Sequence, residues 1–338
     1  MASDSTRLAR PAPSSTSLGE ASTVRSFGVS TSAGRSDRHC TSMAADAGPW
    51  SSGVTAWMAR AGRVLAGRYR LNSRITRGSM GTIWRAEHLE LCCPVAIKLL
   101  DEHGRDDCDS RARFLREART AAALRGPHVV HIMDYGIDGQ TPFLVMELLH
   151  GETLQSRLAR VQRVSRRETA TILSQLGSAL QRAHSLGVVH RDLSANNVFL
   201  VSDTRPALCK LLDFGIAKSR AKALLGEQIS TMRGMILGTP RYMSPEQAEG
   251  LEVDHRTDIW ALGVLAFECL LGRAPFEGRT FGSLVLAICS RRMPVPSELG
   301  SVPGGFDAWF ARACAREPAA RFGSADEAAR ALRRALRS

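Results

Sequence analysis

The sequence lacks any cysteine framework. None of its eight cysteines forms a C-x-x-C pair, and the adjacent Cys92 and Cys93 do not have metal-ligand spacing. Neither a disulfide scaffold nor a zinc module is expected, and a reducing, cytoplasmic setting fits best. Also missing is an apolar run of the roughly 18 residues that a membrane-spanning helix needs. The longest such stretch, IWALGVLAFECLLG, is interrupted and too short. Lysine is scarce: Lys98, Lys210, Lys218 and Lys222 are the whole complement. The net charge of +12 therefore rests almost entirely on arginine. Those arginines are spread along the chain, and no aromatic residues interleave with them for base stacking, so no nucleic-acid partner is expected. Internal repeats are absent as well.

What is present is one large globular unit behind a tail. The chain has 338 residues, 44% hydrophobic and 23% charged, enough for a sizeable core. Residues 1–62 are rich in Ser, Thr, Ala and Arg and show no apolar period. Such a composition cannot offset the entropy of ordering, so a disordered tail is expected. Asp4, Glu20, Asp37 and Asp46 interrupt it, which argues against a transit peptide. From Gly67 the pattern changes. YRLNSRI, GTIWRAEH and PVAIKLL are short, partly alternating runs between turn residues, as in an antiparallel sheet. A helix is expected from about Ser110 to Arg125, stopped by Gly126-Pro127. VVHIMDYGI and PFLVMELL read as two further strands. After Gly151 the periodicity becomes helical. SRRE at 165–168 is a capping-box signature, Ile172, Leu173, Leu176, Leu180 and Ala183 keep one stripe, and Gly187 can end that helix. Residues 258–271 are apolar on every side, the mark of a helix buried within a lobe. SADE at 324–327 is a second capping signature, ahead of a basic amphipathic helix. Cys269 and Cys289 lie in apolar runs and read as core. The expected class is α+β: a small sheet-rich lobe, then a larger helical one.

Several local patterns could carry chemistry. In ITRGSMGTIW, Gly78 and Gly81 sit in a turn where backbone N–H groups could approach a phosphate. Taken alone, they read as a plain hairpin turn. Lys98 ends the apolar VAIK on a strand, where an inward ammonium needs a partner. Glu117, in the helix that follows, could supply one, although each residue singly reads as a solvated charge. HRDLSANN sets Asp192, able to take a proton from a hydroxyl, shortly before Asn197, whose amide oxygen suits a hard cation. LLDFG then brings a second carboxylate, Asp213.

The order of these pieces decides the reading. A glycine turn, a strand lysine, a helix glutamate, His-Arg-Asp with its asparagine, and Asp-Phe-Gly follow one another. Over residues 66–337 the chain resembles the eukaryotic-like Ser/Thr protein kinase family in its bacterial branch. GTPRYMSPEQ at 238–247 resembles the substrate-facing end of an activation segment, and DIWALG at 258–263 the start of the buried central helix. Arg321 resembles the partner of Glu246 in a buried ion pair. The implied fold is two-lobed, with 66–149 as N-lobe and hinge and 150–337 as C-lobe.

The resemblance also implies roles. Gly78 and Gly81 would cover the phosphates of ATP. Lys98, held by Glu117, would grip the α- and β-phosphates. Asn197 and Asp213 would bind Mg2+, and Asp192 would orient the acceptor hydroxyl. Ile83, Ala96 and Phe199 would sandwich adenine. Met146 would be the gatekeeper, with Glu147 to Leu149 as the hinge. Arg191 would pair with a phosphate on the activation segment, for which Ser230 and Thr231 are the candidate sites. Thr239 would shape the acceptor pocket. The implied partners are protein substrates with Ser or Thr acceptors, and a transient homodimer for autophosphorylation. Three positions depart from the family pattern. Thr76 replaces the first loop glycine, and Thr153 stands where an acidic ribose contact is frequent. Ser194 stands where most Ser/Thr kinases carry a lysine, which costs about 1–3 kcal/mol of charge stabilisation and implies a slower enzyme. Asn196 occupies the place where the tyrosine-specific branch carries arginine. A nucleotide-binding pseudokinase acting as a scaffold is the alternative, resting on Ser194 and Thr76.

Overall fold

Side chains alternate across a strand, and in the first lobe that alternation sorts two cores. The computed structural model describes residues 60–78, 81–100, 108–202, 204, 207–214 and 240–337. Its first sheet contains β1 (Val64–Leu65), β2 (Tyr69–Gly78), β3 (Gly81–His88), β4 (Cys93–Leu100), β5 (Ile132–Asp138) and β6 (Thr141–Glu147). The strand order is β1-β2-β3-β4-β6-β5, with every pair antiparallel. On β4, Val95, Ile97 and Leu99 join Leu65, Leu71, Trp84, Phe143 and Val145 on one face. Ala96 and Leu100 belong to the other face, with Leu144, Met146 and the helix α1 (Cys108–Ala123) through Phe114 and Ala118. Period two places Lys98 on that second face, the one turned toward the larger lobe's core cluster.

The expected 1–62 tail falls almost wholly outside the described residues. At its border the chain is already engaged: Gly62 N–H donates to Leu71 O (2.7 Å), and Leu65 is fully buried in β1. The sheet thus begins before residue 66. Helix α1 starts two residues earlier than expected and ends two earlier, ahead of Gly126-Pro127.

The second lobe adds a sheet of β7 (Gly151–Thr153), β8 (Val198–Val201) and β9 (Leu208–Leu211) in that order. Its helices are α2 (Leu154–Val161), α3 (Arg166–Ser185), α4 (Pro245–Ala248), α5 (Arg256–Leu271), α6 (Phe281–Cys289), α7 (Pro296–Leu299), α8 (Phe306–Ala313) and α9 (Ala325–Ala335). Helix α5 is buried at every position from Thr257 to Leu271, as an all-round apolar helix must be. Gly272, at φ 73°, ends it in the left-handed region. Helix α3 buries the expected stripe, and its N–H ladder closes at Gly187. Gly177 lets α9 lie close against α3, since a Cβ there would fall 2.6 Å from that of Ala329. Cys269 is fully buried, whereas Cys289, at the end of α6, is only half-buried.

The two expected capping boxes are each half-formed. Ser165 and Ser324 accept the N–H of Glu168 and Glu327, but neither glutamate returns the bond. Glu168 leans toward Arg157, and Glu327 accepts from Gly323 N–H. A reciprocal box forms at Ser244 and Gln247 instead, heading α4.

The C-lobe is clamped by one ion pair. Arg321 grips Glu246 through two parallel bonds of 2.7 Å, with the arginine side chain fully enclosed. Its remaining donors reach the carbonyls of Ala315, Arg256 and Arg316. Removing one partner strands a buried charge. Glu246→Ala should therefore lower the unfolding free energy by about 3–5 kcal/mol, read by equilibrium denaturation. A loss below about 1 kcal/mol, the worth of an exposed pair, would contradict this description.

Candidate functional site

The loop carrying His190 to Asn197 is held from below by Asp258, in the first turn of α5. This carboxylate, 1% exposed, accepts the backbone N–H groups of His190 and Arg191 at 2.9 Å each. It also meets His184 Nε2 at 2.7 Å. A carboxylate is well placed at a helix N-terminus. His190 carries the connection onward. Its Nε2 lies 2.9 Å from Leu212 O and its Nδ1 3.2 Å from the N–H of Asp192. A neutral ring protonated on Nε2 satisfies both. Leu212 N–H donates to Asn197 O, so the loop and the end of β9 are zipped together. Arg191 at φ 62° and Asp213 at φ 52° are non-glycine residues in the left-handed region, each costing on the order of 1–3 kcal/mol. These bonds hold them there.

The candidate groups meet as follows. Asn197 Nδ2 donates to Asp192 O (2.7 Å) and to Asp192 Oδ2 (3.2 Å). The amide orients the carboxylate and keeps its own oxygen as acceptor. Lys98 Nζ lies 2.9 Å from Asp213 Oδ2. This differs from the expected Lys98–Glu117 pair, which is not formed among the described residues. The physical reason is burial: Lys98 is 7% exposed and must have a carboxylate. Asp213 reaches it first, while Glu117 on α1 is only half-buried and tolerates separation. Ser194 is 3% exposed and makes no capping bond to the short turn Ala195–Asn197.

Ile83, Ala96, Met146 and Leu149 share one apolar cluster. Phe199 lies on β8 opposite Thr153 and is half-buried. Glu147 and Thr153 each have a structural task of their own. Glu147 N–H donates to His131 O at 3.0 Å, and its carboxylate accepts from His131 N–H (2.7 Å) and Lys210 Nζ (2.6 Å). That residue splices β5 and β9 to the hinge, so its own N–H is committed. The Thr153 hydroxyl accepts the N–H of Ser156 at 3.1 Å and caps α2. A T-x-x-S cap competes locally with any ribose contact. Thr76 is exposed in β2, opposite Ile83. Ser230, Thr231 and Thr239 lie outside the described residues.

Asp258, His184, His190 and Gln247 were not singled out from sequence. Gln247 Nε2 donates to Arg191 O (2.9 Å), tying α4 to the loop. S-x-x-Q at 244–247 was the legible signal for that cap. The Tyr242 hydroxyl donates to buried Glu268. Burial first, and then the adjacent carboxylate, push that phenol's pKa far upward, so it stays a donor.

A divalent cation would find oxygen donors only: the Asn197 amide and the Asp213 carboxylate. Among the described residues no three His, Cys, Asp or Glu side chains gather to hold a metal. The donor set suits a hard ion such as Mg2+ that shares phosphate oxygens.

The two loop glycines differ. At Gly81, φ 138°, a Cβ would lie 2.0 Å from Leu99 O, so the fold itself demands glycine. At Gly78 the nearest atom is 4.0 Å away, so the fold does not. Gly81→Ala should cost at least about 1–3 kcal/mol of stability. Gly78→Ala should stay within about 0.5 kcal/mol yet weaken binding of Mg-ATP. Thermal unfolding and nucleotide titration separate the two; equal stability losses would refute the distinction.

Comparison with known proteins agrees with this geometry. The profile of the protein kinase domain matches residues 69–299. Serine/threonine-protein kinase PknA of Mycobacterium tuberculosis H37Rv is 37% identical over 270 residues, covering 78% of this chain and 60% of PknA. PknH of the same strain is 39% identical over 272 residues, covering 80% of this chain and 42% of PknH. Pkn1 of Myxococcus xanthus is 37% identical over 275 residues, 81% of this chain and 39% of Pkn1. The chain thus spans from about two fifths to three fifths of the length of these relatives. The crystal structure of the Mycobacterium tuberculosis PknI kinase domain superposes with a TM-score of 0.65 at 28% identity, over 82% of this chain and 100% of that one. Sequence match, fold and the Asp258-anchored loop converge, and the chain belongs to the protein kinase family.

Proposed function

We propose that this chain is an ATP-dependent protein serine/threonine kinase. It transfers the γ-phosphate to Ser and Thr hydroxyls of proteins, its own activation segment included. The observation that carries the reading is the joined set Asp192–Asn197 and Asp213–Lys98, reached through one scaffold. The names of the curated relatives support the same reaction class.

Each group has a task. Asp192, oriented by the Asn197 amide, accepts the proton of the attacking hydroxyl. Lys98 donates to the α- and β-phosphate oxygens. Mg2+ held by Asn197 and Asp213 would neutralise phosphate charge. When Asp213 turns to that task, the enclosed ammonium of Lys98 needs a replacement carboxylate. Glu117 supplies it from α1, whose Ala118 packs in the same apolar cluster as Ala96. Ile83, Ala96 and Phe199 flank the base beside Met146, and an N–H facing the base comes from Leu149 rather than Glu147. Gly78 and Gly81 cover the phosphates, with Thr76 at the rim. Arg191 meets a phosphate on Ser230 or Thr231, and Thr239 shapes the acceptor pocket. A transient homodimer brings one segment to another copy's cleft. GTPRYMSPEQ favours a protein acceptor over a small molecule.

A nucleotide-binding scaffold is the second reading, favoured only by Ser194 and Thr76. One assay separates the two. The parent chain, Asp192→Asn and Ser194→Lys are incubated with Mg-ATP and a basic protein. Label is expected on the parent, none on Asp192→Asn, and an equal or faster rate for Ser194→Lys, whose ammonium would reach the cleft on its stem. Nucleotide binding without label on any of the three would favour the scaffold. A collapse in Ser194→Lys alone would remove the charge argument.

A further inference from the structure

Away from the cleft, one surface gathers positive charge without answering it. Helix α3 begins with Arg166 and Arg167, the last turn of α9 carries Arg333, and Arg337 follows in the turn just past the helix. These four line a groove of about 500 Å³ floored by Ala170 and Leu336. All four are exposed, and no guanidinium among them has a hydrogen bond or ion pair with the described residues. Among the described residues no Asp or Glu lines the groove.

Neighbouring arginines behave differently. Arg330 pairs with Asp326, Arg312 with Glu327 at 3.0 Å, and Arg157 with Glu152 at 2.7 Å. The acids of α9 sit in its first turn and are consumed there. Like charges gathered around one groove repel one another, and an anion seated between them relieves that repulsion. The N-terminus of α3 adds partial positive charge at the Arg166 end. The groove is also rigid, because Gly177 seats α9 directly on α3 and Ala325, Ala328 and Leu332 are fully buried.

We propose that this groove docks an acidic segment of a protein, a short run of Asp and Glu, and so selects the proteins to be phosphorylated. The proposal rests on the kinase reading for its purpose but not for its test. Guanidinium forks match carboxylates in paired bonds. Among the described residues no aromatic side chain lines the groove for base stacking, which disfavours nucleic acid. Of its apolar floor Leu336 is 8% exposed and Ala170, half-buried, is a single methyl, so no large apolar wedge is offered to a lipid surface. Helix α3 has 20 residues, so the groove at its start lies about 30 Å from the loop at its far end. An extended substrate must therefore separate its acidic run from the acceptor hydroxyl by at least about nine residues.

The test uses the full chain and a fluorescein-labelled peptide of alternating Glu and Asp, followed by anisotropy at physiological salt. Arg333→Glu with Arg337→Glu should weaken binding at least about tenfold. Arg166→Gln with Arg167→Gln should weaken it in the same direction. Arg125→Glu with Arg279→Glu, exposed residues elsewhere with the same change of net charge, should leave it unchanged. Autophosphorylation should be the same in all three variants and the parent. An acidic run added to a substrate peptide should lower KM in the parent, leave kcat alone, and do neither in the groove variants. Since peptide binding requires no catalysis, an inactive chain would leave the docking result standing. Equal losses in groove and control variants would overturn the proposal. So would tighter, groove-dependent binding of a uridine oligonucleotide, or groove-dependent pelleting with phosphatidylglycerol vesicles.

Discussion

The cleft depends on a single buried carboxylate. Asp258 is enclosed at the start of the most deeply buried helix, where an unpaired charge would be prohibitive. It is satisfied by two consecutive backbone N–H groups and an imidazole, and those N–H groups belong to the loop that carries Asp192. The need to satisfy one charge thereby fixes the position of another. From His190 the same logic runs to Leu212, then to Asp213, and from Asp213 across to Lys98 in the other lobe. The left-handed backbones of Arg191 and Asp213 are affordable because this network over-determines them.

Some of this was legible in the sequence and some was not. Period-two alternation alone puts Lys98 on the face of Ala96 and Met146, and all-round apolarity alone marks α5 as buried. Spacing could not say which carboxylate Lys98 would choose. Glu117 and Asp213 are distant in sequence from Lys98, and the choice follows from the tertiary position of each. Asp258 was visible only as one letter in a motif, because its partners lie far back along the chain. The capping task of Thr153 is local: its hydroxyl accepts the N–H of Ser156 at the start of α2. The half-formed boxes at Ser165 and Ser324 teach the same lesson. A glutamate at the right spacing still goes to the stronger partner nearby.

Arginine, the charge this chain relies on almost exclusively, is used in two opposite ways. Arg321 uses all five donors, on Glu246 and three carbonyls, and its guanidinium lies over the Trp260 ring, 5.2 Å from the centroid. A lysine could satisfy three at most, so the buried clamp is specific to the guanidinium fork. The arginines at the start of α3 and the end of α9 leave their forks open to solvent. Enclosed arginine closes the fold, and exposed arginine held on two tightly seated helices offers a surface to another molecule.

The most direct measurement of the scaffold's role is single-turnover phosphoryl transfer by Asp258→Asn beside the titrated affinity for Mg-ATP. Asparagine keeps the size but turns one acceptor into a donor facing the loop's own N–H groups. A displaced loop should slow transfer by on the order of a hundredfold, while nucleotide affinity, set mainly from the other lobe, changes by no more than a few-fold. Transfer at the parent's rate would show that the loop holds its place without Asp258.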